Sequence, residues 1–430
     1  MRVFSAVSIC IVYWAINFAG ATAVPSCGKS NDIDGKGTAQ FFDNNGWIFE
    51  SWEYQDDYQF TATDSLKELV QTLKARGSSL ILVPTPFRTI KYADKVISDN
   101  PLVKGFSKVK YKQSWNDMIS TARITGANII DLLPSVQNFK LSSRNEYFYY
   151  PRDHHWTTSG AEVAAAQVAD LIKKLSSDGK ILSGKNSISF SGKTELLGSF
   201  SEHYLAACGS KLPLIKRFDT KITRNSNSLL GETSTAIGVF GDSFGQAYPD
   251  NNFSPLLENK TQMQTTNFSV SGGGPTVALA GYFADAKIRA KLPPFIVVPF
   301  QGWISNNFFD YGQITAALVG CDKKRIIGTS DITTLSNINT FTPKDDSTKQ
   351  AQRILHVTTS VPTNYFEVRG KYSDGSDLRF EIYRTSADYY KGSRTEFYAI
   401  LPKSQAVDYA TFKIEGDKKF KMRAELCTLN

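Results

Sequence analysis

Residues Ser79 to Pro86 form an unbroken apolar run, SLILVPTP, and an amphipathic segment stands directly before it. That segment, Asp64 to Gly77, is apolar at 66, 69, 70 and 73 and closes on a glycine, as a surface helix does. A run this apolar with no polar alternation reads as a strand covered on both faces. The same order recurs. Ser114 to Thr125 reads as a helix leading into Ala127 to Leu133, and Ala161 to Leu175 is apolar at 164, 168, 171, 172 and 175. The apolar strands Thr235 to Phe240 and Pro294 to Phe300 follow. Strands separated by helices predict an α/β domain with a mostly parallel sheet and helices on both faces, its site beyond the carboxyl ends of the strands. Earlier, Asn44 to Phe49 reads as a turn feeding a short strand.

After about residue 325 the texture changes. Arg353 to Thr359, Tyr365 to Tyr372, Asp377 to Thr385, Thr395 to Leu401, Asp408 to Ile414 and Phe420 to Cys427 are short β-branched and aromatic runs. Turn groups such as Ser373 to Ser376 and Glu415-Gly416-Asp417 separate them, which predicts an all-β sandwich of roughly 100 residues. A length of 430 residues also calls for more than one core. The start of the chain has Arg2, an apolar stretch from Val3 to Phe18, then Ala21-Thr22-Ala23, the pattern of a cleaved export signal. The expected division is therefore a signal over 1–23, an α/β domain over 24–325 and a β domain over 326–430.

Export fits the cysteines. Cys10 leaves with the signal, and Cys27, Cys208, Cys321 and Cys427 remain as an even set for an oxidising compartment. Four cysteines allow three pairings. Their positions favour Cys27 with Cys208 and Cys321 with Cys427, each within its own domain, while wide spacing without any Cys-x-x-Cys argues against zinc. The net charge of +8 suits an anionic polymer. No nucleic-acid module is present, so an acidic polysaccharide is the natural candidate and nucleic acid is not expected.

Chemistry concentrates in two stretches. Gly241-Asp242-Ser243-Phe244-Gly245 sets a serine on a glycine-flanked turn straight after an apolar strand, where its hydroxyl can meet an acyl carbon and nearby N–H groups can face the oxyanion. Such a turn alone is weak evidence, since Asp and Ser also cap helices. A base is needed, and two of the chain's four histidines sit together in Asp153-His154-His155-Trp156-Thr157. In an extended segment residues i and i+2 point the same way, pairing Asp153 with His155 and turning His154 aside. Asp153 can then orient the imidazole and stabilise its charged form. Ser159-x-x-Glu162 reads as a capping box that anchors the following helix. The plain alternative is that Asp153 and His154 are only turn groups. A metal reading lacks further ligands, and no metal or cofactor is called for.

Asp153 to Thr157, followed downstream by Gly241 to Phe244, resembles the AlgX/AlgJ-type alginate O-acetyltransferases, exported relatives of the SGNH hydrolases. Asn45-Gly46-Trp47-Ile48-Phe49 and Val83-Pro84 with Tyr92 agree with it, over residues from about 40 to 320. The resemblance implies a circularly permuted SGNH hydrolase-like domain, because the Asp-x-His pair precedes the serine. It implies Ser243 as nucleophile, His155 as base and Asp153 as orienting acid. It further implies a periplasmic enzyme, an acetyl donor supplied through a membrane O-acyltransferase partner, an export complex, and a carbohydrate-binding-module-like β domain closed by a disulfide. SGNH hydrolases usually place an Asn after the strand that here ends in Gln301-Gly302-Trp303. The oxyanion hole is thus expected from the Ser243 N–H, the 272–274 glycines with Gly273 foremost, and Gln301.

Sugar binding calls for aromatics against rings and cations for uronate carboxylates. Arg384, Tyr390, Lys391 and Arg394 are the expected contacts in the β domain. Acetyl transfer to an exopolysaccharide leads the readings. A secreted carbohydrate acetylesterase with the same triad and a non-catalytic polysaccharide-binding scaffold remain open beside it.

Overall fold

The computed structural model describes residues 40–42, 46–96, 100–176, 186–201, 204–205, 209, 211–223, 235–246, 252–341, 352–371, 377–387, 390, 392–401 and 412–429. The expected export signal, Cys27, Cys208 and Lys391 lie outside these residues. The described chain begins with an antiparallel pair, β1 (Gln40–Phe42) and β2 (Ile48–Glu50). Helix α1 (Thr63–Ala75) buries Leu66, Leu69, Val70 and Leu73 and hands over to β3 (Ser79–Thr85), as the periodicity predicts. Next come α2 (Lys108–Ile124), β4 (Asn128–Ile129) and α3 (Thr158–Leu175). β4 is far shorter than the expected Ala127 to Leu133. Asp131 accepts from the Leu133 N–H at 3.1 Å and Pro134 opens a short helix there, which ends the strand early.

An antiparallel ribbon, β5 (Ser187–Leu196) with β6 (Ile215–Thr223), interrupts the alternation. The α/β pattern then resumes with β7 (Ile237–Val239), α4 (Phe253–Thr261), β8 (Thr265–Asn267), α5 (Gly274–Ala284), β9 (Phe295–Gln301) and α6 (Phe308–Val319). Five strands form one parallel sheet in the order β4-β3-β9-β7-β8. The last strand in sequence is the central one. β9 therefore pairs with β3 on one side and β7 on the other, and the loops after all three emerge at one edge.

The C-terminal strands are β10 (Ile326–Phe341), β11 (Arg353–Thr359), β12 (Tyr365–Lys371), β13 (Asp377–Tyr383), β14 (Glu396–Leu401) and β15 (Phe412–Thr428). The all-β domain is realised as one six-stranded antiparallel sheet, ordered β13-β12-β15-β11-β14, with β10 along the other edge of β15. A single sheet that owns a core must curl around it, here Phe341, Val357, Phe366, Phe397, Phe412 and Phe420. The expected turn at Glu415 to Asp417 is not one: β15 runs through it, and register shifts around Ser336 of β10 absorb the irregularity.

Ile354, Tyr398, Ile400 and Cys427 join the core of the α/β domain instead. The Cys321–Cys427 disulfide is formed, with Cα atoms 5.9 Å apart. Cys321 follows α6, so the bond ties the α/β domain to the final strand rather than stapling the β domain alone. No helix among the described residues is long and apolar enough to cross a membrane.

Candidate active site

At the carboxyl end of β7 the chain makes the turn that carries Ser243. Asp242 builds it: Oδ1 accepts from the Phe244 N–H at 2.8 Å and Oδ2 from the Gln301 N–H at 3.0 Å, so one carboxylate joins the turn to β9. Gly241 is required here, because a Cβ would lie 2.0 Å from the Pro299 carbonyl oxygen. Burial raises the Asp242 carboxyl above its usual range, although the two N–H groups oppose this. With both oxygens occupied, Asp242 is a scaffold of the turn. Ser243 itself is 9% exposed.

The second component is the loop between Tyr149 and Trp156, which form an isolated antiparallel bridge. Asp153 is buried, and its Oδ1 accepts from both the His155 backbone N–H at 2.8 Å and ring Nδ1 at 2.6 Å. The pairing is the expected one but its cause differs. The loop is bent, and Asp153 folds over its own backbone rather than sharing a face of an extended strand with His155. Oδ2 accepts from the Ser199 N–H at 2.7 Å. Burial alone would raise the Asp153 carboxyl, yet the charge and hydrogen bond of His155 outweigh it and hold it far below the carboxylate range. An ionised Asp153 fixes the proton of a neutral His155 on Nδ1. The opposite nitrogen, Nε2, is buried and has no partner among the described residues.

The two components meet through Phe244. Its ring lies 5.1 Å from His155, 5.1 Å from Trp156 and 6.2 Å from His154. The residue after the serine is thus packed on His155, which places the turn of β7 beside the loop that precedes α3. That helix is capped by Thr157, whose hydroxyl accepts from the Gly160 N–H at 3.2 Å. The expected capping box does not form. Ser159 bonds Glu146 and Glu162 bonds Arg144 and Lys260, because both side chains are drawn off by neighbours distant in sequence.

The groups that hold this loop lie outside the motifs named above. Arg88, fully buried just beyond β3, pairs with Glu53 through Nε at 2.8 Å and Nη2 at 2.6 Å. Its Nη1 donates to the Tyr150 carbonyl at 2.9 Å and Nη2 to that of Ile48 at 2.5 Å. One guanidinium therefore clamps β2, the strand end and the histidine loop together. An arginine immediately after a buried strand was the available signal. Ser199 gave none.

The other expected site residues divide. Gln301 lies at the same sheet edge as Ser243, with its N–H committed to Asp242. Gly273 is corrected as a donor, since its N–H already bonds the Val270 carbonyl at 3.1 Å. Arg384 is not a sugar contact. It is buried, lies 5.2 Å over the Phe397 ring and donates to the carbonyls of Tyr383 and Ser393. Tyr390 packs its hydroxyl against Gly281 of α5, within reach of the Val277 carbonyl, so it is a contact between domains. Arg394 is half-buried, its guanidinium 3.5 Å from Asn364. Between the domains lies a cavity of about 730 Å³, lined in part by Phe309, Asp310, Gln313, Arg379, Glu381 and Tyr383.

Among the described residues, two groups bring possible metal ligands together: Asp153, His154 and His155, and Cys321, His356 and Glu425. In the first, Asp153 Oδ1 is paired with His155 Nδ1, and His154 Nδ1 with Ser199. In the second, the Cys321 sulfur is in the disulfide.

A family model described as SGNH hydrolase-like domain, acetyltransferase AlgX, matches residues 42–301. The alginate biosynthesis protein AlgX of Pseudomonas aeruginosa is 27% identical over 277 residues, 62% of this chain and 55% of that protein. The probable alginate O-acetylase AlgJ of Pseudomonas fluorescens is 23% identical over 265 residues, 59% of this chain and 65% of that protein. The chain thus matches about half to two-thirds of the length of these curated relatives. The solved structure of Pseudomonas aeruginosa AlgX superposes with a TM-score of 0.77 at 19% identity, covering 95% of this chain and 99% of that one, so the fold is shared across both domains. With the family model spanning residues 42–301 of 430, this chain belongs to the AlgX acetyltransferase family of SGNH hydrolase-like domains.

Proposed function

We propose that this protein is a periplasmic O-acetyltransferase that passes acetyl groups through Ser243 to hydroxyls of an exopolysaccharide, alginate or a similar uronate polymer. The observation that carries the reading is the buried Asp153–His155 pair: its Nε2 has no partner among the described residues and belongs to a ring 5.1 Å from Phe244 of the serine turn. His155 Nε2 takes the Ser243 proton as Oγ adds to the acetyl carbonyl. The tetrahedral adduct collapses, the donor's alcohol leaves with the proton from the imidazolium, and acetyl-Ser243 remains. A sugar hydroxyl then gives its proton to Nε2, adds to the acetyl carbon and displaces Ser243, which recovers the proton. Asp153, ionised throughout, keeps the imidazole in the required tautomer. Of the expected oxyanion donors, the Gln301 side chain belongs to the strand end that Asp242 ties to the serine turn.

The names of the relatives support an alginate-type acceptor, and the cavity between the domains is lined by Tyr383, suited to a sugar ring, and by Arg379, a cation already paired with Glu367 and Glu381. The donor would come through a membrane O-acyltransferase partner, within an export complex. The test is mass spectrometry of the full chain after exposure to an activated acetyl ester. Ser243 should gain about 42 Da, and oligouronate should discharge it by carrying the acetyl group away. Discharge to water alone, unaffected by acceptor, would leave an acetylesterase; no acetylation of Ser243 would leave a binding scaffold.

A further inference from the structure

His154 is the member of the histidine loop with no part in the chemistry above, and its ring has a hydroxyl partner. Its backbone N–H donates to Ser199 Oγ at 3.2 Å, and its ring Nδ1 lies 2.9 Å from the same oxygen. The hydroxyl still has its own proton to donate, and among the described residues Nδ1 is the acceptor it meets. A neutral imidazole that accepts at Nδ1 carries its proton on Nε2, on the side of the ring away from Ser199.

The surroundings keep the ring neutral. It packs among His155, Phe200, Trp52 and Phe244 at centroid distances of 3.9, 5.9, 6.0 and 6.2 Å. Burial foremost, then His155, holds its ionisation well below the ordinary histidine value; Asp153 opposes this and Arg88 adds to it. Two of the expected backbone donors are already committed. The Gly273 N–H is committed to Val270 and the Gln301 N–H to Asp242. A neutral N–H one ring away from the base offers a directed dipole that needs no reorganisation as charge develops.

We propose that His154, as its Nε2–H tautomer, is a catalytic hydrogen-bond donor to the acyl carbonyl oxygen, and that Ser199 is the positioning residue that sets the tautomer. The inference rests on the serine acyl-enzyme reading. As Ser243 Oγ bonds to the acyl carbon, the carbonyl π pair moves onto oxygen, and Nε2–H donates to that oxyanion without giving up its proton. When the carbonyl re-forms and the leaving group departs, the hydrogen bond weakens again.

Two measurements on the full chain test it. Nitrogen NMR of histidine-labelled protein at pH 7 should show His154 neutral with the proton on Nε2, and Ser199→Ala should move the ring toward a mixture of tautomers. An Nδ1–H tautomer or an imidazolium in the wild type overturns the proposal. The rate of Ser243 acetylation by an activated acetyl ester should fall about 10²- to 10³-fold in His154→Phe, which keeps a ring without a donor. His154→Gln, which keeps an N–H donor, should run at least about tenfold faster than His154→Phe. Acetylation of His154→Phe at the wild-type rate, or equal losses in the two variants, overturns the donor role while leaving the acyl-enzyme intact. Absence of acetyl-Ser243 in the wild type would instead refute the reading on which it rests.

Discussion

Each domain of this protein buries a histidine against carboxylate, and the two sites differ in what the second ring nitrogen meets. In the α/β domain His155 gives Nδ1 to Asp153 at 2.6 Å and leaves Nε2 buried without a partner among the described residues. In the β domain His356 has Nδ1 2.9 Å from Glu425 and Nε2 2.5 Å from Glu396, and its ring stacks on Tyr398 at 4.2 Å and 3°. Across the sheet His356 stands opposite Glu425 on β15 and Tyr398 on β14. A histidine bonded on both sides joins strands; a histidine bonded on one side keeps an unused lone pair that can accept a proton. The same residue type thus serves as a cross-link in one domain and is available for chemistry in the other, and satisfaction of hydrogen bonds separates the two cases better than burial does.

Truncating the two rings separates the two sites most strongly. His155→Ala should lower the rate of Ser243 acetylation per folded molecule about 10⁴-fold or more, and should also lower the melting temperature because Asp153 loses the imidazole that holds it ionised. His356→Leu should leave the rate per folded molecule unchanged but cost about 3 kcal/mol, because Glu396 and Glu425 then face each other without the ring between them. Denaturant titration and single-turnover kinetics on both variants would check this. A stable, active His155 variant would refute the assignment.

A smaller effect lies in the pH dependence. Asp153 and Glu425 both titrate below their ordinary values. Burial opposes the shift in each case, and His155 in one and His356 with Arg423 in the other outweigh it. A depressed carboxyl adds stability that is fully present above its unfolded value, near pH 4, and is lost as pH falls through the folded value. Asp153→Asn and Glu425→Gln should therefore each flatten the fall of melting temperature below about pH 4. At neutral pH only Asp153→Asn should also remove acetylation; equal kinetic losses would mean the two sites are not functionally distinct.

Much of the α/β domain was legible because its signals are short-range. The buried run at 79–85 and the apolar stripe of α1 are set by a period of a few residues. Asp153 and His155 are two residues apart, so their pairing too could be anticipated locally. The partners of His356 lie 40 and 69 residues away, and no local pattern marks them. Arg384 and Tyr390 mislead for a related reason. Their residue types suit a sugar surface, but the sheet curls and docks on α5, turning them inward. The β5–β6 ribbon was likewise silent, since much of β6 is only half-buried and shows no apolar alternation.

Short-range pattern is enough to foretell a parallel sheet with helices on it, a serine at a strand end, and Asp153 with His155 on one loop. Packing across the chain sets the rest: β9 inserts between β3 and β7 and collects their loops at one edge, Arg88 and Glu53 lock the histidine loop, and Ser199 reaches back to Asp153 and His154. Hydrophobic period and near-neighbour hydrogen bonds are encoded within one element. Which nitrogen is left without a partner depends on every group packed around it, and those groups come from across the chain.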